Sequence, residues 1–242
     1  MKARLFPTSQ EAARVYRLLQ ACGAKDLPRP LQRAGRVLVL EFVEGQSLDR
    51  LLPTAAPGLE VRQARAAGAL LGRLHGGVRA SAVGPRPAYY RAGMRRTVQA
   101  LARAGLLDAG HAQCLARIEA PAKARIGVTH GDLCPENLVR MPSGRLRAID
   151  EERLAVRPLA FDLARTVSRW PLGPRLEAAF LVGYAAGGGD GRGFVAHRTF
   201  WIATALATSA KYRLRQHAGA LATPLAGLRK LAATLAPTGR GP

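Results

Sequence analysis

The segment His130-Gly131-Asp132-Leu133-Cys134-Pro135-Glu136-Asn137 constrains this chain more than any other. Pro135 has no N–H and clashes with a preceding helical turn, so the segment cannot be the interior of a helix. A short apolar run, Ile126-Gly127-Val128, precedes it, and Leu138-Val139 follows. Leu146-Arg147-Ala148-Ile149 comes after Pro142-Ser143-Gly144, a turn that predicts a hairpin. The remaining elements have to be arranged around this polar loop held between short strands.

Upstream, residues 2–6 read as extended and stop at Pro7. Thr8 or Ser9 caps a helix with Glu11 in its first turn and Val15, Leu18 and Leu19 on one side, ending near Gly23. Pro28 and Pro30 mark a loop, and Arg36-Val37-Leu38-Val39-Leu40-Glu41-Phe42-Val43 is the clearest strand, broken at Glu44-Gly45. Ser47 caps a short helix through Leu52. Helical periods then cover residues 59–77, 88–105 and 108–120, and after Asp150 residues 160–169, 174–186, 194–216 and 224–235. Strand, helix and strand followed by a helical body with one hairpin predicts an α+β protein with segregated layers and a lobe boundary near Glu44 to Ser47.

Composition narrows the function classes. Nearly half of the 242 residues are apolar, which is enough for a real core and excludes a disordered or collagen-like chain. The net charge of +21 would suit a nucleic-acid binder. Of the 37 basic residues, however, only Lys2, Lys25, Lys123, Lys211 and Lys230 are lysines. The arginine excess is spread along the chain beside abundant Ala, Gly and Pro, so we assign it first to composition. Cys22, Cys114 and Cys134 have no metal or redox spacing and read as free thiols of a cytoplasmic protein. The N-terminal segment lacks the apolar core of a signal peptide, and no apolar stretch is long enough to span a bilayer.

The loop carries a specific chemistry. Phosphoryl transfer needs a carboxylate to orient and accept the proton of an attacking hydroxyl, and oxygen ligands for the Mg²⁺ on the nucleotide phosphates. Asp132 and Asn137 are five residues apart on one loop, and Asp150 ends the next hairpin. This is the spacing of a kinase catalytic loop followed by a metal-binding Asp.

The string His130 to Val139 resembles the HGD-x-x-x-x-N signature of the aminoglycoside phosphotransferase and choline kinase family. Ala148-Ile149-Asp150-Glu151-Glu152 is similar to that family's second motif, and Phe161-Asp162-Leu163-Ala164 to its downstream Asp-Leu-Ala. Leu71-Gly72-Arg73-Leu74-His75 resembles the helix before its site, and Val39 to Gly45 its interlobe hinge. Five motifs in this order make chance a poor explanation. The resemblance implies a protein-kinase-like, two-lobed fold with a truncated N-terminal β lobe, residues 1–44, and a mainly helical C-terminal lobe, residues 45–242. It implies ATP and Mg²⁺ as cofactors, Asp132 as catalytic base, and Asn137 and Asp150 as metal ligands. Leu40 would guard the adenine pocket, with the backbones of Glu41 and Val43 bonding adenine. Lys2, paired with Glu11, would hold the α- and β-phosphates. His130 and Asp162 would be structural supports.

Two departures shape the expected function. Relatives carry two more strands and a phosphate-covering loop before the lysine. Here the chain begins one residue before Lys2, which leaves an upstream start and a truncated, weakened lobe as alternatives. Gly131 stands where protein kinases have Arg, and only eleven residues separate Asp150 from Asp162, too few for a regulated activation loop with a peptide platform. A small-molecule acceptor is therefore expected. No Asp or Glu follows Asp190, whereas Arg192, Arg198, Lys211, Arg213, Arg229 and Lys230 do. In relatives this segment lines the acceptor site, so repulsion disfavours a polycationic aminoglycoside and favours a neutral or anionic, sugar-like acceptor. A kinase-like binding protein without turnover and a basic nucleic-acid-binding protein are the alternatives. The sequence carries no signal for an oligomeric state.

Overall fold

The computed structural model describes residues 1–242 apart from residues 24, 55, 78–85, 171, 217–220 and 236–242. Strand β1 (Lys2–Leu5) leads into helix α1 (Ser9–Cys22). The Thr8 hydroxyl accepts the N–H of Glu11 at 3.2 Å, a cap that contributes about 1 kcal/mol. Ala12, Val15 and Leu19, three and four residues apart, are its buried face. Strands β2 (Pro30–Ala34) and β3 (Val37–Leu40) follow, then β4 (Gln46–Ser47) and the single turn α2 (Leu48–Leu51). Helices α3 (Leu59–Gly77), α4 (Pro87–Arg103) and α5 (Ala109–Ala116) precede β5 (Ile126–Thr129). The loop gives way to β6 (Leu138–Arg140) and β7 (Leu146–Ala148), with β8 (Ala155–Pro158) after them. Helices α6 (Leu159–Arg169), α7 (Pro174–Ala186), α8 (Arg192–Ala196), α9 (Arg198–Gln216) and α10 (Ala222–Leu235) complete the order.

The strand expected over 36–43 is regular only over Val37–Leu40, the helix expected over 108–120 ends at Ala116, and Ser47 makes no side-chain cap bond to α2. β2 lies where Pro28 and Pro30 predict a loop. It is an edge strand, in the order β1-β3-β2, and an edge position tolerates a proline at its first residue. β8 carries no strand signal in its sequence, yet it pairs antiparallel with the whole of β5. The helix expected over 194–216 is two helices, α8 and α9, parted at His197.

The chain divides into two units. One comprises Met1–Gly84 and Arg125–Arg192, the other Pro85–Ala124 and Gly193–Pro242. The first holds three small antiparallel sheets, β1-β3-β2, β4-β6-β7 and β5-β8. Alternation along β3 buries Leu38 and Leu40, as a half-buried strand requires. In the same unit α3 and α7 touch backbone to backbone. A Cβ on Gly68 would lie 1.9 Å from the Phe180 carbonyl oxygen, and one on Gly183 1.9 Å from that of Arg65. Only hydrogen fits at either position, and this close approach brings His75 of α3 to Tyr184 of α7.

The second unit has its own core. Met94, Val98 and Leu101 of α4 and Leu115 of α5 pack with Ala203, Ala207 and Ala210 of α9 and Leu225, Leu228 and Ala232 of α10. Helical spacing of apolar residues is thus resolved as one buried face per helix. Among the described residues no helix is long and apolar enough to cross a membrane.

Candidate active site

The loop between β5 and β6 is held from below by one carboxylate. Asp162, in the first turn of α6 and fully buried, accepts the N–H of His130 through Oδ2 and that of Gly131 through Oδ1, both at 2.8 Å. His75 Nε2 donates to the same Oδ2 at 3.1 Å, and the Tyr184 hydroxyl is 2.8 Å from His75 Nδ1. Burial, and then the Asp162 charge, push the Tyr184 hydroxyl above its ordinary value, so it keeps its proton beside the His75 ring. Burial alone would raise Asp162, but the His75 hydrogen bond, the electrostatic pull of the His75 and His130 rings and the Gly131 N–H hold it below the ordinary carboxylate range. The tight packing of α3 on α7 therefore reaches the loop through His75 and Asp162.

This support has measurable consequences. Asp162→Ala is expected to cost about 3–5 kcal/mol of stability, because it strands His75 and two buried N–H groups. A folded-state pKa below the unfolded value of about 4 makes the carboxylate's contribution complete above that pH and lost as pH falls through the folded value. Urea unfolding of the wild type should show that acid loss, and Asp162→Asn should show less of it. Equal acid dependence in the two proteins would contradict the assignment.

Gly131 has φ +82°, a conformation that favours glycine. A Cβ there would also meet the Arg153 carbonyl oxygen at 2.8 Å. His130 Nε2 lies 3.1 Å from the Ile149 carbonyl oxygen and donates to it, while Nδ1 accepts the Asp132 N–H at 3.3 Å. His130 thus spans the loop and the end of β7.

Asp132 is buried and ringed by guanidinium groups. Arg165 of α6 reaches Oδ1 at 3.1 Å and donates through Nε to the Gly131 carbonyl at 2.5 Å. Arg169 Nε stands 3.7 Å from Oδ1, and Arg153 Nε 3.8 Å from Oδ2. Asp162, Arg165 and Arg169, spaced three and four apart, form one face of α6. Desolvation lowers Arg165 below its ordinary value despite Asp132. Burial also opposes the charge on Arg169, but Asp132, Cys134 and Glu136 together leave it raised.

Asn137 closes a 3-10 turn, Pro135–Asn137, and its Nδ2 donates to the Asp132 carbonyl at 2.9 Å. Its Oδ1 is then the ligand-type atom of the amide. The Ile149 N–H donates to the Asn137 carbonyl at 2.8 Å, which places Asp150 one residue beyond a direct loop-to-hairpin bond. Asp150 has φ 67° and ψ 54°, and it is the non-glycine residue with positive φ among those described. Such strain persists only where the surroundings impose it, and it concentrates at functional sites. Its Oδ1 pairs with Arg4 of β1. Glu151 is buried, whereas Glu152 is exposed.

The structure thus brings Asp132, Asn137 and Asp150 together with His130 and Asp162. It does not join Lys2 to Glu11: among the described residues no ion pair links them, and Glu11 Oε2 is buried without a hydrogen-bond partner. Lys2 pairs in register with Leu40, the buried last residue of β3. Arg4, two residues on and on the same face of β1, is the cation at Asp150. The Glu41 N–H donates to the Arg29 carbonyl, and its carboxylate accepts a two-pronged fork from Arg147 of β7 at 2.8 and 3.0 Å. That hydrogen bond is the main reason its pKa is lowered, and it ties the segment after β3 to the hairpin. Glu41, Phe42, Val43 and Glu44 line an open cleft of about 500 Å³ with Met141 and Arg147. Cys134 is buried with its thiol pushed up to about 12, first by burial, which excludes it as a nucleophile.

Arg4, Arg153, Arg165 and Arg169 were not singled out in the sequence. The available signal was the spacing of Asp162, Arg165 and Arg169 on one helical face.

The phosphotransferase enzyme family (APH) matches residues 2–198. The chain belongs to this family. Solved structures carry the same fold. A macrolide 2'-phosphotransferase type I has 19% identity and a TM-score of 0.66, over 91% of this chain and 78% of the other. Macrolide 2'-phosphotransferase MphH from Brachybacterium faecium has 20% identity and a TM-score of 0.64, over 99% and 84%. Choline kinase LicA from Streptococcus pneumoniae has 15% identity and a TM-score of 0.62, over 96% and 85%. No curated protein matches the chain. At these identities the likeness is one of fold, and the fold of this phosphotransferase is α+β and kinase-like.

Proposed function

We propose that this phosphotransferase moves the γ-phosphoryl group of ATP to a hydroxyl of a small molecule, with Mg²⁺ on the nucleotide. The observation that carries this reading is the convergence of Asp132, Asn137 and Asp150 on one loop and hairpin, fixed by backbone bonds and by a strained Asp150. Asp132 would orient the acceptor hydroxyl and take its proton as the phosphoryl group leaves ATP. Arg165 holds that carboxylate in place by bonding both it and the Gly131 carbonyl.

The donor set fits Mg²⁺. Asn137 Oδ1 and Asp150 are hard oxygen ligands, and Mg²⁺ is commonly held by one or two carboxylates together with phosphates and water. Among the described residues no group of three His, Cys, Asp or Glu could hold a metal ion. When bound, Mg²⁺ neutralises phosphate charge that would otherwise repel the nucleophile. Lys2 and Arg4 would offer cations to the α- and β-phosphates, with Arg4 released from Asp150 as the nucleotide enters. Leu40 and the backbones of Glu41 and Val43 would receive adenine. We keep residues 1–44 as the nucleotide lobe and 45–242 as the lobe of the catalytic loop. A cytoplasmic setting would supply ATP and Mg²⁺, and the acceptor would be neutral or anionic.

A second reading, a kinase-like binding protein without turnover, is favoured by one observation: Asp150 is already paired with Arg4. Calorimetric titration with ATP, with and without Mg²⁺, tests the proposal. Binding that requires Mg²⁺ supports it. Absence of Mg²⁺-dependent binding by folded protein would contradict both the transfer and the metal assignment.

A further inference from the structure

Asp132 brings one negative charge to a place where three guanidinium groups meet. Arg165, Arg169 and Arg153 stand 3.1, 3.7 and 3.8 Å from its two oxygens. A fourth, Arg157, comes close to the same loop: its Nη1 lies 3.1 Å from where a Cβ on Gly131 would sit. Asp162 already accepts three hydrogen bonds, from His75, His130 and Gly131. Glu136 acts on Arg169 more weakly than Asp132 does. Three guanidinium groups therefore stand around one carboxylate that is itself largely removed from water.

The three arginines are not equivalent. The Arg165 side chain is 5% exposed and is committed to the Gly131 carbonyl and Asp132. Those of Arg169 and Arg153 are 29% and 26% exposed, and they flank opposite oxygens of Asp132. Arg169 Nη2 also lies 3.6 Å from the Cys134 thiol, so both partly exposed guanidinium groups are held beside Asp132 rather than pointing away from it.

We propose that the acceptor hydroxyl oriented by Asp132 belongs to an anionic molecule, whose phosphate or carboxylate is held by Arg153 and Arg169. This rests on the phosphotransferase reading above and narrows its acceptor from neutral or anionic to anionic. Guanidinium forks suit such oxyanions. The same charge repels an ammonium group, so amino-alcohols and aminoglycosides are poor acceptors.

Two measurements test this. In the first, the protein saturated with Mg²⁺ and a non-hydrolysable ATP analogue is titrated with inorganic phosphate by calorimetry. Phosphate should bind, and Arg153→Gln and Arg169→Gln, each shown folded by circular dichroism, should weaken it by about tenfold or more, the usual weight of a charge-assisted bond. No phosphate binding to the wild type, or binding unchanged in both variants, overturns the proposal. Failure of the wild type to bind the Mg²⁺-nucleotide overturns the transfer reading instead, and leaves the phosphate result to stand alone. In the second, ADP release is followed with glucose, glucosamine, glucuronate and glucose 6-phosphate. Preference for glucuronate indicates a carboxylate and preference for glucose 6-phosphate a phosphate. Either variant should then raise KM for the preferred anion with a smaller change in kcat. Preference for glucosamine or glucose, or an equal fall in kcat for charged and neutral acceptors, overturns it.

Discussion

Asp132→Asn is expected to slow phosphoryl transfer by about 10²–10⁴-fold, the usual contribution of a positioned general base. ATP affinity should change little, because in the proposed arrangement Asp132 would meet the acceptor hydroxyl while Asn137 and Asp150 would hold the metal on the nucleotide. The loop itself is held by Asp162 and His130, so the backbone geometry should survive the change. Some stability should still be lost. An amide in place of the carboxylate removes the charge that Arg165, Arg169 and Arg153 share, and burying cations without a counter-charge costs free energy. Comparing kcat with the Kd for Mg²⁺-ATP separates the two effects. A variant with parental kcat would remove Asp132 from the chemistry, and a large loss of ATP affinity would move it to the nucleotide side.

Asp150→Ala should abolish Mg²⁺-dependent ATP binding, since it removes the anionic ligand of the proposed metal site. Two features complicate a single substitution, and a pair of variants resolves them. Asp150 occupies the left-handed region, where Asn and Gly are tolerated better than Ala. It also neutralises Arg4. Asp150→Asn keeps the backbone preference and side-chain shape but loses the charge, so it should fail to bind the Mg²⁺ nucleotide while unfolding near the wild-type midpoint. Asp150→Ala should fail in both respects. Mg²⁺-dependent binding retained in Asp150→Asn would show that the carboxylate serves only to hold Arg4.

Much of this site was legible in the sequence because its signals are local. Pro135 denies a helix, the Asp132–Asn137 spacing fits one loop, and the turn at Pro142 to Gly144 forces the hairpin that delivers Asp150. What escaped depends on long-range packing. β2 begins with Pro30 and is stable only as the edge of a sheet whose centre is β3. β8 has no pattern of its own and exists because β5 offers a partner. Arg4 looks like any of the chain's many arginines until β1 is paired with β3, and β3 carries no mark of what lies opposite. His75 and Tyr184 are 109 residues apart, joined by a helix crossing whose cue is a set of glycines with no individual signature. The ring of arginines around Asp132 was hidden by composition: an arginine-rich sequence gives no local sign of which side chains turn inward.

The proposed reaction requires that this chain transfer a phosphoryl group rather than merely bind a nucleotide. Mass spectrometry of the small-molecule acceptors after incubation with Mg²⁺-ATP tests it most directly, run in parallel on the wild type and Asp132→Asn. One added phosphoryl group on a hydroxyl of an anionic acceptor, with matching ADP, is expected in the wild type, and a near-complete loss in the variant. Folded wild type that binds Mg²⁺-ATP yet adds no phosphoryl group to any acceptor would contradict it and leave the binding protein in its place.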